Sequence, residues 1–247
     1  MQASGKTILI TGGGSGIGFE TARLFAQNGN TVIITGRNRD KLEKAAAAIG
    51  NISWYICDVT SEADVAKLVQ EITGKYGKLD ILMNNAGLAY LHYLHDTAHS
   101  FAYATAEMTT NYLAAVNITA QFLPLLKQQP EAAIISTSSI AAFVPAVSLP
   151  TYSASKAALH AYSQSLRYSL SLASNVKVFE VMPSLVDTEF AKDIPVADKL
   201  TAQEVAEAII QGVKEDVYEL HVGQTAQLHQ HFFSQSHQAF LVLNKLA

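Results

Sequence analysis

Cysteine is almost missing from this chain of 247 residues, where Cys57 stands alone. A single thiol excludes an intrachain disulfide framework and any cysteine-rich metal site, so no metal is expected. It also fits a reducing compartment, and a cytoplasmic location is the expectation. Charge is scarce as well. Charged residues make up 15% of the sequence, against roughly 25% in a typical soluble domain. Seventeen Lys plus Arg against 21 Asp plus Glu leave a net charge of −4. Such a chain has no broad basic field, so no nucleic-acid partner is expected. Long apolar runs are lacking too. The uncharged stretch 132–155 is interrupted by Ser, Thr and Pro, and nothing resembles the ~18 consecutive apolar residues of a membrane span. Residues 1–11 lack the apolar core of a secretory signal. No membrane partner is expected.

What is present is apolar material. Hydrophobic residues reach 49%, enough for one sizeable core and against disorder. Residues 7–10 read as a strand that stops at Thr11-Gly12-Gly13-Gly14-Ser15-Gly16-Ile17-Gly18, and a helical pattern follows to about Gly29. Strand-like runs recur at 31–35, 52–56 and 79–83, separated by helical patterns at 41–49 and 61–73 with Thr60 or Ser61 as N-cap. These strands are apolar throughout rather than alternating, which places them centrally in a parallel sheet with helices on both faces. Right-handed crossovers then give a doubly wound α/β fold. The pattern continues with an irregular stretch at 88–105, a long helix at 106–126, a strand at 132–135, a helix at 153–172, a strand at 176–181, a helix at 202–213, a seventh strand at 217–222 and a partly helical tail at 229–247. With no repeat and no linker, residues 1–247 are expected to form one domain.

The glycines at 12, 16 and 18 lie between the first strand and the first helix. Glycine there permits positive φ and lets backbone N–H groups approach a pyrophosphate, to which the helix N-terminus adds partial positive charge. No Lys follows the last glycine, so this is not a Walker A loop. The second strand ends in Thr35-Gly36-Arg37-Asn38-Arg39. A ribose 2′-hydroxyl calls for a carboxylate at that place and a 2′-phosphate for cations. No acid stands there and Arg37 offers a forked donor set, so NADP is expected over NAD. Asp58 closes the third strand, where its carboxylate could accept from an adenine amine or cap a local turn.

Tyr152 and Lys156 are four apart in a helical pattern and share a face. A nearby ammonium favours the phenolate, so Lys156 is expected to lower the Tyr152 pKa and make it an acid/base for an alcohol oxygen. Ser139 ends the fifth strand, at the sheet edge where ligands collect in doubly wound folds. Asn111, in the middle of the long helix, needs a partner or a water.

Together these residues resemble the short-chain dehydrogenase/reductase family over essentially the whole chain. Thr11-Gly12-x-x-x-Gly16-Ile17-Gly18 matches that family's cofactor motif, Asn84-Asn85-Ala86-Gly87 its motif after the fourth strand, and Tyr152-x-x-x-Lys156 its active-site motif with Ser139 thirteen residues earlier. Within the family the chain resembles reductases associated with D-alanylation of teichoic acid. The resemblance implies a Rossmann fold with a parallel seven-stranded sheet in order 3-2-1-4-5-6-7. It implies hydride transfer between NADP(H) and a carbonyl or alcohol. Tyr152 would then move the proton, Ser139 orient the substrate oxygen, Lys156 hold the nicotinamide ribose, and Asn111 support a relay water. It implies cofactor contacts from Gly12, Gly14, Ser15, Gly16, Ile17, Gly18, Arg37, Asn38, Asp58, Val59, Asn85, Ala86, Gly87, Tyr152, Lys156, Pro183, Val186 and Thr188. The family's Pro-Gly has become Pro183-Ser184 here, which is tolerated if φ at Ser184 is negative. It also implies a homodimer or homotetramer built on the helices containing Asn111 and Tyr152, where Ala154, Ala157, Ala158 and Ala161 suit close packing.

The substrate pocket is expected from Ala141, Phe143, Val144, Tyr90 and residues 189–200, an apolar set suited to a small or medium neutral substrate. His92, His95 and His99 have a spacing that a metal could use, but no zincin motif accompanies them, and a polar loop or lid is the expectation. A nucleotide-binding regulator without turnover and an epimerase or dehydratase on the same fold are the alternatives.

Overall fold

The computed structural model describes residues 1–96, 98–191 and 199–243. Seven parallel strands form one sheet: β1 (Thr7–Thr11), β2 (Thr31–Gly36), β3 (Ser53–Ile56), β4 (Ile81–Asn84), β5 (Ala132–Thr137), β6 (Val176–Pro183) and β9 (Glu219–Val222), in the spatial order β3-β2-β1-β4-β5-β6-β9. The expected order holds, and the chain is a single-domain Rossmann fold. The last strand is ninth in chain order because β7 (Val186–Asp187) and β8 (Leu200–Thr201) pair as a separate ribbon. Two-residue strands carry no periodicity, so the sequence does not announce them.

Alternation along each strand sorts side chains to the two faces. Ile8, Ile10, Val32, Ile34, Ile81, Met83, Ala133, Ile135, Phe179 and Val181 enter one core. It is closed by Ala22 and Phe25 of α1 (Gly16–Gln27), Leu42 of α2 (Arg39–Ile49) and Val205 and Ile209 of α7 (Ala202–Glu215). Leu9, Ile33, Leu82, Ile134 and Val178 enter the other. That side is closed by Val65, Leu68 and Ile72 of α3 (Glu62–Tyr76), Ile118 and Phe122 of α5 (Ala114–Leu126) and Leu170 of α6 (Pro150–Ala173). Both faces are therefore dry, which is why the strands read as unbroken apolar runs. Emptying a fully buried position such as Phe25 or Phe122 would cost about 3–5 kcal/mol.

Local chemistry sets the ends. Ser61 caps α3 by accepting from Asp64 N–H, Asn38 caps α2 by accepting from Lys41 N–H, and Thr201 with Glu204 forms a capping box on α7. Pro150 begins α6 at a position that needs no donor. The long helix differs from its expected start at 106. It begins as α4 (Ser100–Glu107), widens to a π segment at Met108–Leu113 and continues as α5. A π segment inside an α-helix often marks a functional site, and this one holds Asn111. The tail forms α8 (Thr225–Leu243), which departs from helical geometry at Gln235. No helix among the described residues is long and apolar enough to cross a membrane.

Candidate active site

The glycine turn links the C-terminal end of β1 to the N-terminus of α1. Gly12 has φ +66°, and a Cβ built on it would lie 3.0 Å from Ala86 Cα. A Cβ on Gly18 would lie 2.6 Å from both the Gly12 carbonyl oxygen and Asn85 Nδ2. Neither position admits a side chain. Thr35 O accepts from Gly12 N–H at 2.8 Å, which ties the turn to β2. Asn85 Nδ2 donates to Thr11 O at 3.0 Å, while Asn85 N–H and Ala86 N–H both donate to Thr11 Oγ1. The Asn85 side chain thus holds the turn against β4. Ser15 caps α1 with extended backbone and no side-chain cap bond, and the first turn of α1 carries no acid. Ile17 packs onto the core beneath. Backbone donors, a positive helix end and no competing carboxylate fit an anionic pyrophosphate.

At the end of β2, Arg39 is occupied by Glu43 and lies over the Trp54 ring. Arg37 forms no salt bridge among the described residues and faces Asp58. Partial burial pushes the Asp58 carboxyl up, but hydrogen bonds from the Thr60 N–H and hydroxyl, with Arg37 nearby, hold it below the usual carboxylate range. Asp58 Oδ1 thus closes a local turn, one of its two expected uses. Asn38 likewise spends its side-chain oxygen as a helix cap. The Lys41 stem packs beside Gly14 and its ammonium pairs with Glu189. Thr188 Cγ2 comes within 3.1 Å of where a Gly16 Cβ would be, so residues 188–189 cross over the turn. Ser184 is absent from the positive-φ residues, which among the described non-glycines are Asn51 and Asp216, so the exchange from Gly is accommodated as expected. Pro183 ends β6, and Val186 is buried in β7.

The structure brings Ser139, Tyr152, Lys156 and Asn111 together. Ser139 starts a short 3-10 turn after β5, and its Oγ accepts from Ala141 N–H and is hydrogen-bonded to Tyr152. Lys156 Nζ donates to Thr137 O at 2.8 Å and lies 5.5 Å from the Tyr152 ring centre. A Cβ on Gly87 would lie 3.2 Å from Asn111 Oδ1 and 3.7 Å from Lys156 Nζ, so this glycine lets the chain pass between them. Asn111 receives Leu88 N–H on Oδ1 and donates from Nδ2 to Leu88 O and Ser155 Oγ, each at 2.9 Å. Val59 and Ala86 line a small cavity beside Asn111, together with Thr11 and Asn84.

One electrostatic expectation is corrected. Lys156 does not depress the Tyr152 pKa here. Burial raises Tyr152 to about 12, against a lowering by the Ser139 bond and with a further rise from Glu107. Burial likewise lowers Lys156 to about 8, partly opposed by Glu180. Both groups are withdrawn from water, and desolvation disfavours each charged form more than proximity favours it.

The expected pocket divides. Ala141 clusters with Leu149, Tyr152 and Ala89 at the site. Phe143 and Val144 turn away with Met182 and pack against Leu228 and Phe232 of α8, with His160 and His229 against Phe143. Residues 192–198 lie outside the described residues. Tyr90 stacks on Tyr103, and His92 and His99 flank the same ring. Among the described residues no three metal-ligating side chains converge. Two fully buried acids escaped the sequence reading. Glu180 receives Ser138 Oγ and His160 Nδ1. Glu107 receives Tyr90 N–H at 2.8 Å. The signal for Glu107 was a lone acid in the apolar run Ala106-Glu107-Met108.

Comparison with known proteins agrees with this arrangement. The family described as short chain dehydrogenase matches residues 6–199. The uncharacterized oxidoreductase DltE of Bacillus subtilis (strain 168) is 36% identical over 226 residues, covering 89% of each chain. A short chain dehydrogenase from Burkholderia cenocepacia J2315 in complex with NADP superposes with a TM-score of 0.87 at 27% identity, over 98% of this chain and 99% of that one. A short chain dehydrogenase/reductase from Burkholderia phymatum in complex with NAD shares the fold with a TM-score of 0.85 at 21% identity, over 95% and 96% of the two chains. The glycine turn, the Tyr152–Lys156 pair and the match over most of the length have one reading: the chain belongs to the short-chain dehydrogenase/reductase family of oxidoreductases.

Proposed function

We propose that the protein reduces a small or medium neutral carbonyl, or oxidises the matching secondary alcohol, with NADP(H). The observation that carries the reading is Tyr152 hydrogen-bonded to Ser139, with Lys156 buried beside it and the glycine turn one strand away. The NADP complex of the Burkholderia cenocepacia relative supports the cofactor. Arg37, without a salt bridge among the described residues, supplies the cation that a 2′-phosphate needs.

When bound, the nicotinamide supplies a hydride to the carbonyl carbon. The chain does the rest. Gly12 would shape the turn, and Gly14, Ser15, Gly16, Ile17 and Gly18 would hold the pyrophosphate on backbone donors. Arg37, Asn38, Asp58 and Val59 would hold the adenosine end, and Asn85, Ala86, Gly87, Pro183, Val186 and Thr188 the remainder of the cofactor. Ser139 Oγ orients the substrate oxygen. Tyr152 gives its proton to that oxygen during reduction, a step suited to a phenol that burial holds protonated. Lys156, easier to deprotonate than in water, returns a proton to the phenol and regains its own from solvent, and Asn111 keeps the adjoining backbone in place. A regulator that only binds nucleotide has no use for a proton donor so placed. Exposed Leu113, Tyr168 and Leu172, with exposed Ala154, Ala157 and Ala161 on α6, support self-association through these helices, which sedimentation analysis tests.

Titration with NADPH and NADH, followed by a panel of neutral ketones and aldehydes, tests the reading. NADPH is expected to bind more tightly and to be consumed by at least one carbonyl. No nucleotide binding would overturn it, and a nicotinamide recycled without net consumption would favour the epimerase or dehydratase alternative.

A further inference from the structure

Glu107 is fully buried at the end of α4, on a helix packed against α6. Hydride transfer as described asks nothing of it. Among the described residues it forms no ion pair. Its Oε1 accepts Tyr90 N–H at 2.8 Å, and its Oε2 has no hydrogen-bond partner among the described residues. A buried acceptor left without a partner costs about 1–3 kcal/mol, and such a group calls for an explanation.

The neighbours supply one. Four positions further along the same helix, Asn111 grips both backbone polar groups of Leu88. Glu107 and Asn111 thus hold the two ends of one segment, residues 88–90. That segment begins next to Gly87, where Asn111 and Lys156 meet, and its Ala89 packs against the cluster containing Tyr152. We propose that Glu107 is a positioning residue for proton transfer, fixing with Asn111 the 88–90 backbone, and with it Ala89, against Tyr152.

Tyr152 is held from several sides. Ser139 meets the hydroxyl from the 3-10 turn, Lys156 lies over the ring from α6 itself, and Ala89 of the gripped segment packs in the same apolar cluster. His92, from the 88–96 loop, reaches the adjacent Thr151 at 3.5 Å.

The inference deepens the reading of Tyr152 as proton donor, and two variants test it. Glu107→Gln keeps an acceptor for Tyr90 N–H. Glu107→Leu removes it. In the holoenzyme reducing any carbonyl that the parent accepts, Glu107→Leu is expected to lower kcat by about tenfold or more with KM little changed, and Glu107→Gln to restore it. A Glu107→Leu variant with the parent's kcat, or a Glu107→Gln variant no faster than Glu107→Leu, overturns the link to proton transfer. Amide exchange at Tyr90 is expected to stay protected in Glu107→Gln and to quicken about tenfold or more in Glu107→Leu. Unchanged exchange in Glu107→Leu overturns the grip on the 88–90 backbone. The exchange measurement needs no turnover, so a parent inactive on every carbonyl would sink the reductase reading while leaving the grip on Tyr90 open to refutation.

Discussion

Replacing Lys156 by Met should make the protein more stable and inactive. Lys156 is buried, and burial draws its ammonium from 10.5 to about 8. One pKa unit is about 1.4 kcal/mol, so holding this charge inside costs the folded state about 3 kcal/mol at neutral pH. Met keeps the length of the stem without the charge. Against that gain stands the lost donor to Thr137 O, worth about 1–2 kcal/mol. The net expectation is a variant more stable by about 1–2 kcal/mol at pH 7, a rise of a few degrees in Tm. The sign of the pH dependence follows from proton counting. From about pH 8 to 10.5 the unfolded chain holds the lysine proton and the folded chain has lost it, so the parent gains stability relative to the variant as pH rises through that window. Tyr152 and Cys57, both raised by burial, oppose this trend in the parent but are common to both proteins and cancel in the difference. Urea unfolding of the two nucleotide-free proteins from about pH 7 to 10 reads it. A variant less stable at neutral pH, or a stability gap that does not narrow as pH rises, would refute the reasoning.

Other outcomes follow from the same geometry. Arg37→Ala should weaken NADPH binding by about tenfold or more, the worth of one charge-assisted contact, and leave NADH binding nearly unchanged in a fluorescence titration; equal losses for the two would remove the assigned role. Gly18→Ala would set a Cβ 2.6 Å from the Gly12 carbonyl, so Tm should fall and nucleotide affinity with it, whereas wild-type-like binding would show that the turn yields. The Glu107 variants, read by kcat and amide exchange, complete the set.

Much of the fold was legible because its strands are buried on both faces. Residues such as Ile8-Leu9-Ile10 feed two cores alternately, and an uninterrupted apolar run is the imprint of that. Tyr152, Lys156 and Ser139 were legible because helical spacing and the end of a strand fix where their side chains start. What the sequence hid depends on tertiary context. The early start of the long helix at Ser100 and its π segment arise where Glu107 and Asn111 grip the 88–90 backbone, a contact across the chain that no local pattern encodes. The Tyr152 shift went the other way because spacing shows that Lys156 is near but not that both groups leave water. Phe143 was expected in an apolar pocket, yet it packs under α8 because Met182, Leu228 and Phe232 offer it an apolar seat. Asp58 and Asn38 also spend a side-chain oxygen on local turns and caps, which the sequence offered for Asp58 alone.

The account rests on a buried phenol handing its proton to the oxygen of a substrate. Tyr152→Phe keeps the ring and its packing while removing that proton. NADPH affinity and Tm should stay close to the parent's, and carbonyl-dependent consumption of NADPH should fall by about a hundredfold or more. Tyr152→Phe turning over at the parent's rate would contradict the account.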